Sequence, residues 1–234
     1  MTKNIIRAQK KQKTKAVSLI TLADKSSPIS EQYRTIRTNI QYAMVDRDLK
    51  TLVITSSGPS EGKSTTSANL AIVFANSGKR VLLVDADMRK PTVAKTFTLD
   101  NARGLSTLLG SRETMLHQVV QPSGVDNLFL MASGPKPPNP SELLDSRRMQ
   151  ELLQELKHQY DLVIFDMPPV VAVTDAQIVS SKSDGTILVV RENVSKRDSL
   201  LKAKSLLELV DANILGVVYN GSKSIEDQGY YYGS

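Results

Sequence analysis

The chain has 234 residues, of which 40% are hydrophobic and 23% charged, a size and composition that fit one α/β domain. It contains no cysteine and two histidines, which excludes disulfides, thiolate metal sites and a histidine-rich metal centre. The sequence has no apolar run of about 18 residues, which is the length needed to cross a membrane, and its N-terminus lacks the apolar core of a secretory signal. We therefore expect the chemistry to come from lysine, arginine, carboxylate and hydroxyl groups.

The net charge of +6 is concentrated at the N-terminus. Six of the 30 lysines and arginines lie within residues 1–15, which hold no acid, so the rest of the chain has 24 residues of each sign. We predict a flexible basic arm over residues 1–26. A solubilising tail and a segment that rests on an anionic membrane surface both fit this pattern. We expect no nucleic-acid partner, because residues 1–15 contain no aromatic side chain on which a base could stack.

After the arm, Ser27-Pro28 predicts the start of a helix of about 18 residues, since it joins a capping hydroxyl to a proline suited to a first turn. Short apolar runs then predict strands at 51–55, 81–84, 162–165, 186–190 and 214–219, with a weaker one at 128–131. Helical stretches are predicted near 63–77, 141–159, 174–183 and 196–210. Continuous apolar strands are typical of parallel sheets covered on both faces. We therefore predict an α/β fold with a doubly wound, mainly parallel sheet over residues 27–225, a stiff loop at 135–140, and a mobile C-terminal tail at 226–234.

The segment 57–64 (SGPSEGKS) follows a predicted strand and opens a predicted helix, which is the setting of a P-loop. Ser57 stands where the pattern G-x-x-x-x-G-K-[ST] has its first glycine. Backbone N–H groups near a helix N-terminus can hold phosphate, Lys63 can bridge β- and γ-phosphate oxygens, and Ser64 can bind Mg²⁺. The sequence predicts an ATP and Mg²⁺ site whose nucleotide contacts come from Gly58, Pro59, Ser60, Glu61, Gly62, Lys63, Ser64 and Thr65.

Three aspartates end predicted strands: Asp85 and Asp87 follow 81–84, and Asp166 follows 162–165. Ligands of open α/β sheets bind beyond the carboxyl ends of the strands, so all three acids can face the P-loop. We expect Asp87 and Asp166 to hold Mg²⁺ through water, together with Ser64. An aspartate at a strand end can also cap a helix or form a turn, and for Asp85 this structural role is the alternative.

The P-loop, the segment 85–91 (DADMRKP) and the segment 165–169 (FDMPP) resemble those of the bacterial tyrosine kinases, P-loop NTPases related to the chromosome-partitioning and septum-positioning ATPases. The resemblance covers nearly all of residues 27–234. It implies that Lys63 and Ser64 belong to the Walker A motif, Asp85 and Asp87 to the additional Walker A′ motif, and Asp166 to Walker B. For a tyrosine kinase of this family, Asp85 is the candidate acceptor of the tyrosyl proton. The partitioning ATPases carry a signature lysine where this chain has Gly58, which favours the kinase branch.

Two further segments share the resemblance. Glu31, Arg34 and Arg37 match the E-x-x-R-x-x-R helix that packs protomers of the family into a ring, and the spacing places them on one broad helical face. A solvated charged face with an internal Glu31–Arg34 pair remains the alternative. Residues 133–144 also resemble a loop and helix of the family.

The tail contains Tyr230, Tyr231 and Tyr232 in one cluster. The resemblance implies that they are phosphoacceptors, with the tail of one subunit entering the site of the next; docking onto a neighbour is the alternative. It further implies an ATP-dependent protein-tyrosine kinase with tyrosine-bearing protein substrates, held at the cytoplasmic face of the membrane by a membrane adaptor that activates it. The implied role is control of capsular or exopolysaccharide synthesis. A partitioning-type ATPase and a nucleotide-gated assembly module remain the rival interpretations.

Overall fold

The computed structural model describes residues 16–45 and 47–221, which contain a seven-stranded sheet. The strand order is β3-β4-β2-β5-β1-β6-β7, and every pairing is parallel except that of β3 with β4. The strands are β1 (Thr51–Ser56), β2 (Val81–Asp85), β3 (Val120–Pro122), β4 (Leu128–Met131), β5 (Leu162–Asp166), β6 (Gly185–Arg191) and β7 (Ile214–Asn220). The predicted mainly parallel α/β sheet is thus confirmed. The strand β3 was not predicted because it is three residues long and ends in a proline at the edge of the sheet.

Helices cover both faces of the sheet. They are α1 (Ile20–Ala23), α2 (Pro28–Ala43), α3 (Lys63–Ala75), α4 (Val93–Thr96), α5 (Leu105–Gly110), α6 (Pro140–Asp145), α7 (Arg147–Gln159), α8 (Asp175–Ser180) and α9 (Arg197–Glu208). The single helix predicted at 141–159 is wrong, because Ser146 interrupts it. This residue has extended backbone angles, and its side chain accepts the Met149 N–H as the N-cap of α7.

The core consists of one apolar layer on each face of the sheet. One layer joins α2 and α3 to the strands, and the other joins α5, α7, α8 and α9 to them. Helix α3 is buried over all but two of its 13 residues, since it lies between the sheet and the N-terminal helices. Its apolar residues therefore do not form a single stripe. The loop that precedes α3 is consequently fixed to the most buried helix of the domain.

The N-terminal boundary differs from the prediction. Residues 16–26 were expected in the flexible arm, but Thr21 is 3% exposed, and its N–H and hydroxyl both donate to Asn69 Oδ1, at 3.0 and 2.9 Å. Asn69 in turn donates from Nδ2 to the Ser18 carbonyl at 2.8 Å. Buried hydrogen bonds to α3 thus include this segment in the fold. Residues 1–15 and the predicted mobile tail 226–234 lie outside the described residues, and no helix within the described ranges is long and apolar enough to span a membrane.

The start of β1 depends on Asp184, whose Oδ2 accepts the N–H groups of Lys50 and Thr51 and the Thr51 hydroxyl, at 3.0, 2.8 and 2.8 Å. Its Oδ1 pairs with Lys157 Nζ at 2.8 Å. We expect Asp184→Ala to lower the free energy of unfolding by about 2–3 kcal/mol, because it leaves partly buried donors unpaired. Denaturant unfolding at pH 7 measures this loss. The control Asp145→Ala breaks only the exposed pair with Lys182 and should cost less than about 1 kcal/mol.

The loss should depend on pH. Burial alone would raise the pKa of Asp184, but the hydrogen bonds from Lys157 and Thr51 outweigh it and lower that pKa below 3.8. A carboxyl group with a lowered pKa in the folded state contributes stability above its ordinary pKa, and this contribution is lost as the pH falls through the lowered value. The difference in the free energy of unfolding between wild type and Asp184→Ala should therefore be largest at pH 7 and decrease below about pH 4. A difference that stays constant down to pH 2.5 would contradict this account.

Candidate active site

Three neighbouring strands end at the same edge of the sheet and bring the predicted site residues together. The order β2-β5-β1 places the phosphate loop after β1 beside Asp166 at the end of β5, and Asp166 is in register with Asp85 of β2. Asp87 follows two residues later. One cluster thus contains Lys63, Ser64 and all three strand-end aspartates, as the rule for ligand sites in open α/β sheets predicts.

Lys63 is the cation at the centre of this cluster. Its Nζ lies 3.0 Å from Asp87 Oδ2 and 3.4 Å from Asp166 Oδ1, and it donates to Ser64 Oγ at 3.2 Å. Burial by itself would lower the pKa of Lys63, but the charges of Asp166 and Asp87 outweigh it and raise that pKa above the ordinary 10.5. The ammonium group therefore stays charged at every physiological pH, as a phosphate ligand requires.

Asp166 is fully buried and is held from two sides. Oδ1 accepts the Ser67 hydroxyl at 3.2 Å in addition to contacting Lys63, and Oδ2 accepts the Thr92 hydroxyl at 3.5 Å. Burial raises the pKa of Asp166, and Lys63 opposes this shift. The carboxylate is thereby fixed in one orientation beside the lysine.

Asp85 is held by the backbone of the segment that follows β2. It is fully buried, and its Oδ2 accepts the N–H groups of Thr92 and Val93, each at 2.8 Å. Its Oδ1 is buried without a hydrogen-bond partner among the described residues, and burial together with the charge of Asp166 raises the pKa of Asp85 to about 7. Through Oδ2, Asp85 thus acts as a helix cap, which is the alternative role that the sequence left open.

The oxygen ligands at this site fit a Mg²⁺ ion that is bound to a nucleotide. Ser64, Asp87 and Asp166 offer oxygen atoms within reach of the same lysine Nζ. Within residues 16–45 and 47–221, no group of three or more acidic or histidine side chains is arranged to hold a metal ion by protein ligands alone. Mg²⁺ usually takes one or two carboxylates and completes its shell with water and phosphate oxygens. The site therefore suits a metal that arrives with phosphate.

The phosphate loop is shaped by a residue whose side chain the sequence analysis did not use. Glu61 is 3% exposed, and its carboxylate accepts the Gly58 N–H at 2.9 Å. That N–H is therefore engaged within the loop, and Pro59 has none, so neither residue offers a backbone donor to a phosphate. The first-turn N–H groups of α3 have no partner within the helix, and they begin at Lys63.

A cavity of about 660 Å³ opens onto this loop. Pro59, Ser60, Gly62, Lys63, Ser64, Thr65 and Asp87 line it, whereas Asp85 does not. The sequence analysis missed Arg191, which lies at the end of β6 and could have been found by the rule that ligands bind beyond strand ends. It also missed residues 16–18 on the cavity wall, for which no local motif exists.

A second missed pair fixes the segment that carries the acids. Arg89 binds Asp175 of α8 in a bidentate manner, with Nε and Nη2 at 3.0 and 3.1 Å from its two carboxylate oxygens. Asp175 is fully buried and also accepts the Ser141 hydroxyl at 2.7 Å. The segment after β2 is thereby tied to α6 and α8, which pack on the opposite face of the sheet from α3.

The predicted interface residues do not share one free face. Arg34 pairs with Glu31 through Nη2 at 2.6 Å and Nε at 2.7 Å. Arg37 instead turns to α3, where its Nη1 donates to the Val73 carbonyl at 3.3 Å. The internal pair left open by the sequence is present in this chain. Glu31 and Arg34 stay accessible to a neighbouring molecule, and Arg37 is engaged within its own subunit.

The similarity of this chain to known proteins identifies its family. A family model described as an AAA domain matches residues 49–211. The tyrosine-protein kinase YwqD of Bacillus subtilis is 49% identical over 93% of this chain and 92% of its own length, and the putative tyrosine-protein kinase CapB of Staphylococcus aureus is 37% identical over 94% and 96%. The chain belongs to the bacterial tyrosine kinase family.

Solved structures agree with this assignment. The chimerical protein CapA2B2 superposes with a TM-score of 0.83 at 41% identity, covering 88% of this chain and 92% of that one. The septum site-determining protein MinD of Pyrococcus horikoshii, in a complex with Mg-ADP, gives a TM-score of 0.61 at 22% identity over 73% and 70%. This second likeness shows that the fold is shared with the septum-positioning ATPases and carries no further conclusion.

Lys63→Met tests the central cation. We expect the variant to lose measurable Mg-ATP binding in titration calorimetry, because it removes the phosphate-binding charge and leaves Asp87 and Asp166 without their cation. The matched control is Lys90→Met, since Lys90 lines the same cavity and contacts Asp87 through its backbone N–H. It should bind within about threefold of wild type, as expected for an exposed charge. Wild-type affinity in Lys63→Met would show that the nucleotide binds elsewhere.

Proposed function

We propose that this chain is an ATP-dependent protein-tyrosine kinase that transfers the γ-phosphoryl group to tyrosine hydroxyls, including those of its own C-terminal tail. The observation that carries the proposal is the contact of Lys63 with Asp87 and Asp166 at the mouth of a cavity, in a chain that belongs to the bacterial tyrosine kinases. The test is incubation with Mg-ATP followed by anti-phosphotyrosine blotting. A partitioning-type ATPase would release phosphate and give no signal.

Phosphoryl transfer depends on positioning and charge neutralisation more than on covalent chemistry. In our proposal, Lys63 binds the β- and γ-phosphate oxygens, the N–H groups of residues 60–65 hold the phosphates at the positive end of α3, and Ser64, Asp87 and Asp166 orient the hydrated metal. Bound Mg²⁺ neutralises phosphate charge. Asp87 and Asp166 also keep Lys63 in place before the nucleotide binds.

We assign the acid that faces the incoming tyrosine to Asp87 and not to Asp85. Asp87 lines the cavity, and its Oδ1 accepts the backbone N–H groups of Arg89 and Lys90, at 3.3 and 2.9 Å, which fix its direction. Asp85 instead accepts the backbone N–H groups of Thr92 and Val93. In our proposal it thereby positions the wall of the site that carries the Thr92 hydroxyl.

Asp85→Asn separates these two roles. The amide oxygen can still accept the Thr92 and Val93 N–H groups, while the proton-accepting charge is gone. We expect phosphotyrosine formation within about threefold of wild type, because a neutral acceptor replaces a charged one at a modest cost. Asp85→Leu, which removes the acceptor altogether, serves as the contrasting variant and should be impaired. Intact Mg-ATP binding by Asp85→Asn with complete loss of phosphotyrosine would restore Asp85 as the proton acceptor.

The tail tyrosines are the proposed acceptors. The described tyrosines offer few alternatives: Tyr33 and Tyr160 are buried, while Tyr42 and Tyr219 are 73% and 59% exposed. Replacing Tyr230, Tyr231 and Tyr232 together by Phe should abolish most self-labelling by radioactive ATP and leave Mg-ATP binding unchanged. The matched control is Tyr42→Phe, which should label as wild type does. Persistent labelling of the triple variant would move the acceptor to Tyr42 or Tyr219.

The proposed biological setting comes from the family resemblance. We propose that a membrane adaptor recruits the kinase to the inner face of the cell membrane through its cytoplasmic tail, that the kinase forms a ring, and that it controls capsular or exopolysaccharide synthesis. Glu31 and Arg34 pair with each other on helix α2, but their side chains are 65% and 37% exposed and so remain accessible to a neighbouring subunit of the ring. Mass measurement of the chain with and without a candidate adaptor tail tests the contact with the adaptor and the formation of the ring.

A further inference from the structure

The phosphate loop contains a buried carboxylate that the mechanism above does not use. Glu61 Oε1 accepts the hydroxyls of Ser57 and Ser195, at 2.8 and 2.6 Å, and Oε2 accepts the Gly58 N–H at 2.9 Å. All three donors are neutral groups. A buried carboxylate is costly unless several donors are directed at it, and here three donors from two separate segments meet it.

The position of Glu61 explains how this loop closes without the first glycine of the P-loop pattern. Ser57 stands at that glycine position and donates its hydroxyl to Glu61, so the side chain that departs from the pattern is used as an anchor. Gly58 turns its N–H towards the same carboxylate. The first half of the loop is thus folded around Glu61, with its donors directed away from the cavity.

The second half of the loop is held in conformations that it would not adopt alone. Ser60 has φ +65°, a left-handed conformation that costs a non-glycine residue energy. Arg191 Nη1 donates to the Ser60 carbonyl at 3.1 Å, and Ser195 accepts the Arg191 N–H at 2.8 Å. The end of β6 and the residues that follow it therefore hold Ser60 through Arg191 and Glu61 through Ser195. Two contacts from this segment thus fix the loop at two successive residues.

We propose that Glu61 is a positioning residue for nucleotide binding, which fixes the phosphate loop to the segment after β6 through Ser57, Gly58 and Ser195 so that the N–H groups of residues 60–65 face the phosphates. The inference rests on the proposed function of the same site. Because a negative charge beside an anion site would by itself weaken phosphate binding, the carboxylate acts through geometry. Its neutral isostere should therefore replace it, and a truncated side chain should not.

The test is Mg-ADP and Mg-ATP affinity by titration calorimetry for four variants and a control. Glu61→Ala should raise the dissociation constant roughly tenfold or more, as expected when hydrogen bonds to a charged acceptor are lost. Glu61→Gln should bind within about threefold of wild type, since its oxygen can accept the Gly58 N–H while its amide donates to the two hydroxyls. Ser195→Ala should weaken binding by about threefold to tenfold. The control is Glu113→Ala, an exposed loop glutamate.

The double variant Glu61→Ala/Ser195→Ala decides whether the two residues act as one unit. In our proposal it binds nucleotide no more weakly than Glu61→Ala, because both changes break the same link. Circular dichroism and thermal unfolding identify variants that are not folded at the assay temperature. Should Glu61→Ala fail to fold, Ser195→Ala and Glu61→Gln still test the proposal.

Three results would overturn the inference. The first is a double variant whose loss of nucleotide affinity equals the sum of the two single losses. The second is a folded Glu61→Ala or Ser195→Ala that binds nucleotide as wild type does. The third is binding by Glu61→Gln as weak as that by Glu61→Ala, which would indicate a role for the charge and not for the geometry. Failure of the wild-type chain to bind either nucleotide would instead refute the proposed function, and the two failures are thereby distinguished.

Discussion

The site depends on the contact between the Lys63 ammonium group and two buried carboxylates, those of Asp87 and Asp166. Burial of each carboxylate costs several kcal/mol unless it is compensated. One lysine cannot compensate three acids, and Asp85 receives two backbone N–H groups instead and has a pKa raised to about 7. The cluster thus holds more acid than fixed cation, and a divalent ion held beside the acids would offset part of this excess.

The order of the strands makes this cluster possible. Because β5 lies between β2 and β1, the Walker B acid has the phosphate loop on one side and the Walker A′ acids on the other. The sequence could predict this arrangement, since continuous apolar runs indicate parallel strands and parallel strands end at a common edge. Local signals were also sufficient for Lys63, Ser64 and the acids, because each follows directly from the end of a strand or the start of a helix.

The remaining features depend on contacts between residues far apart in the chain. Glu61 and Ser195 are 134 positions apart, and Asn69 and Thr21 are 48 apart. The sequence around each residue is ordinary, so nothing local indicates that a polar side chain will be buried and satisfied there. The same holds for Arg37, whose spacing from Glu31 suggested a shared surface although the nearby carbonyl of Val73 binds it. Hydrophobic periodicity predicts which layer an element joins but not the polar contacts made across it.

These distant contacts converge on the phosphate loop from three directions. Asn69 links the Ser18 and Thr65 carbonyls, Arg191 and Ser195 approach from the end of β6, and Asn220 at the end of β7 donates to the Glu61 carbonyl at 3.2 Å. At Gly62, with φ +99°, a Cβ atom would lie 1.9 Å from Asn220 Nδ2, so only glycine fits there. A loop confined in this way loses little conformational entropy when phosphate binds. In our proposal, nucleotide affinity in this chain therefore depends also on the ends of β6 and β7, which carry no recognisable nucleotide-binding motif.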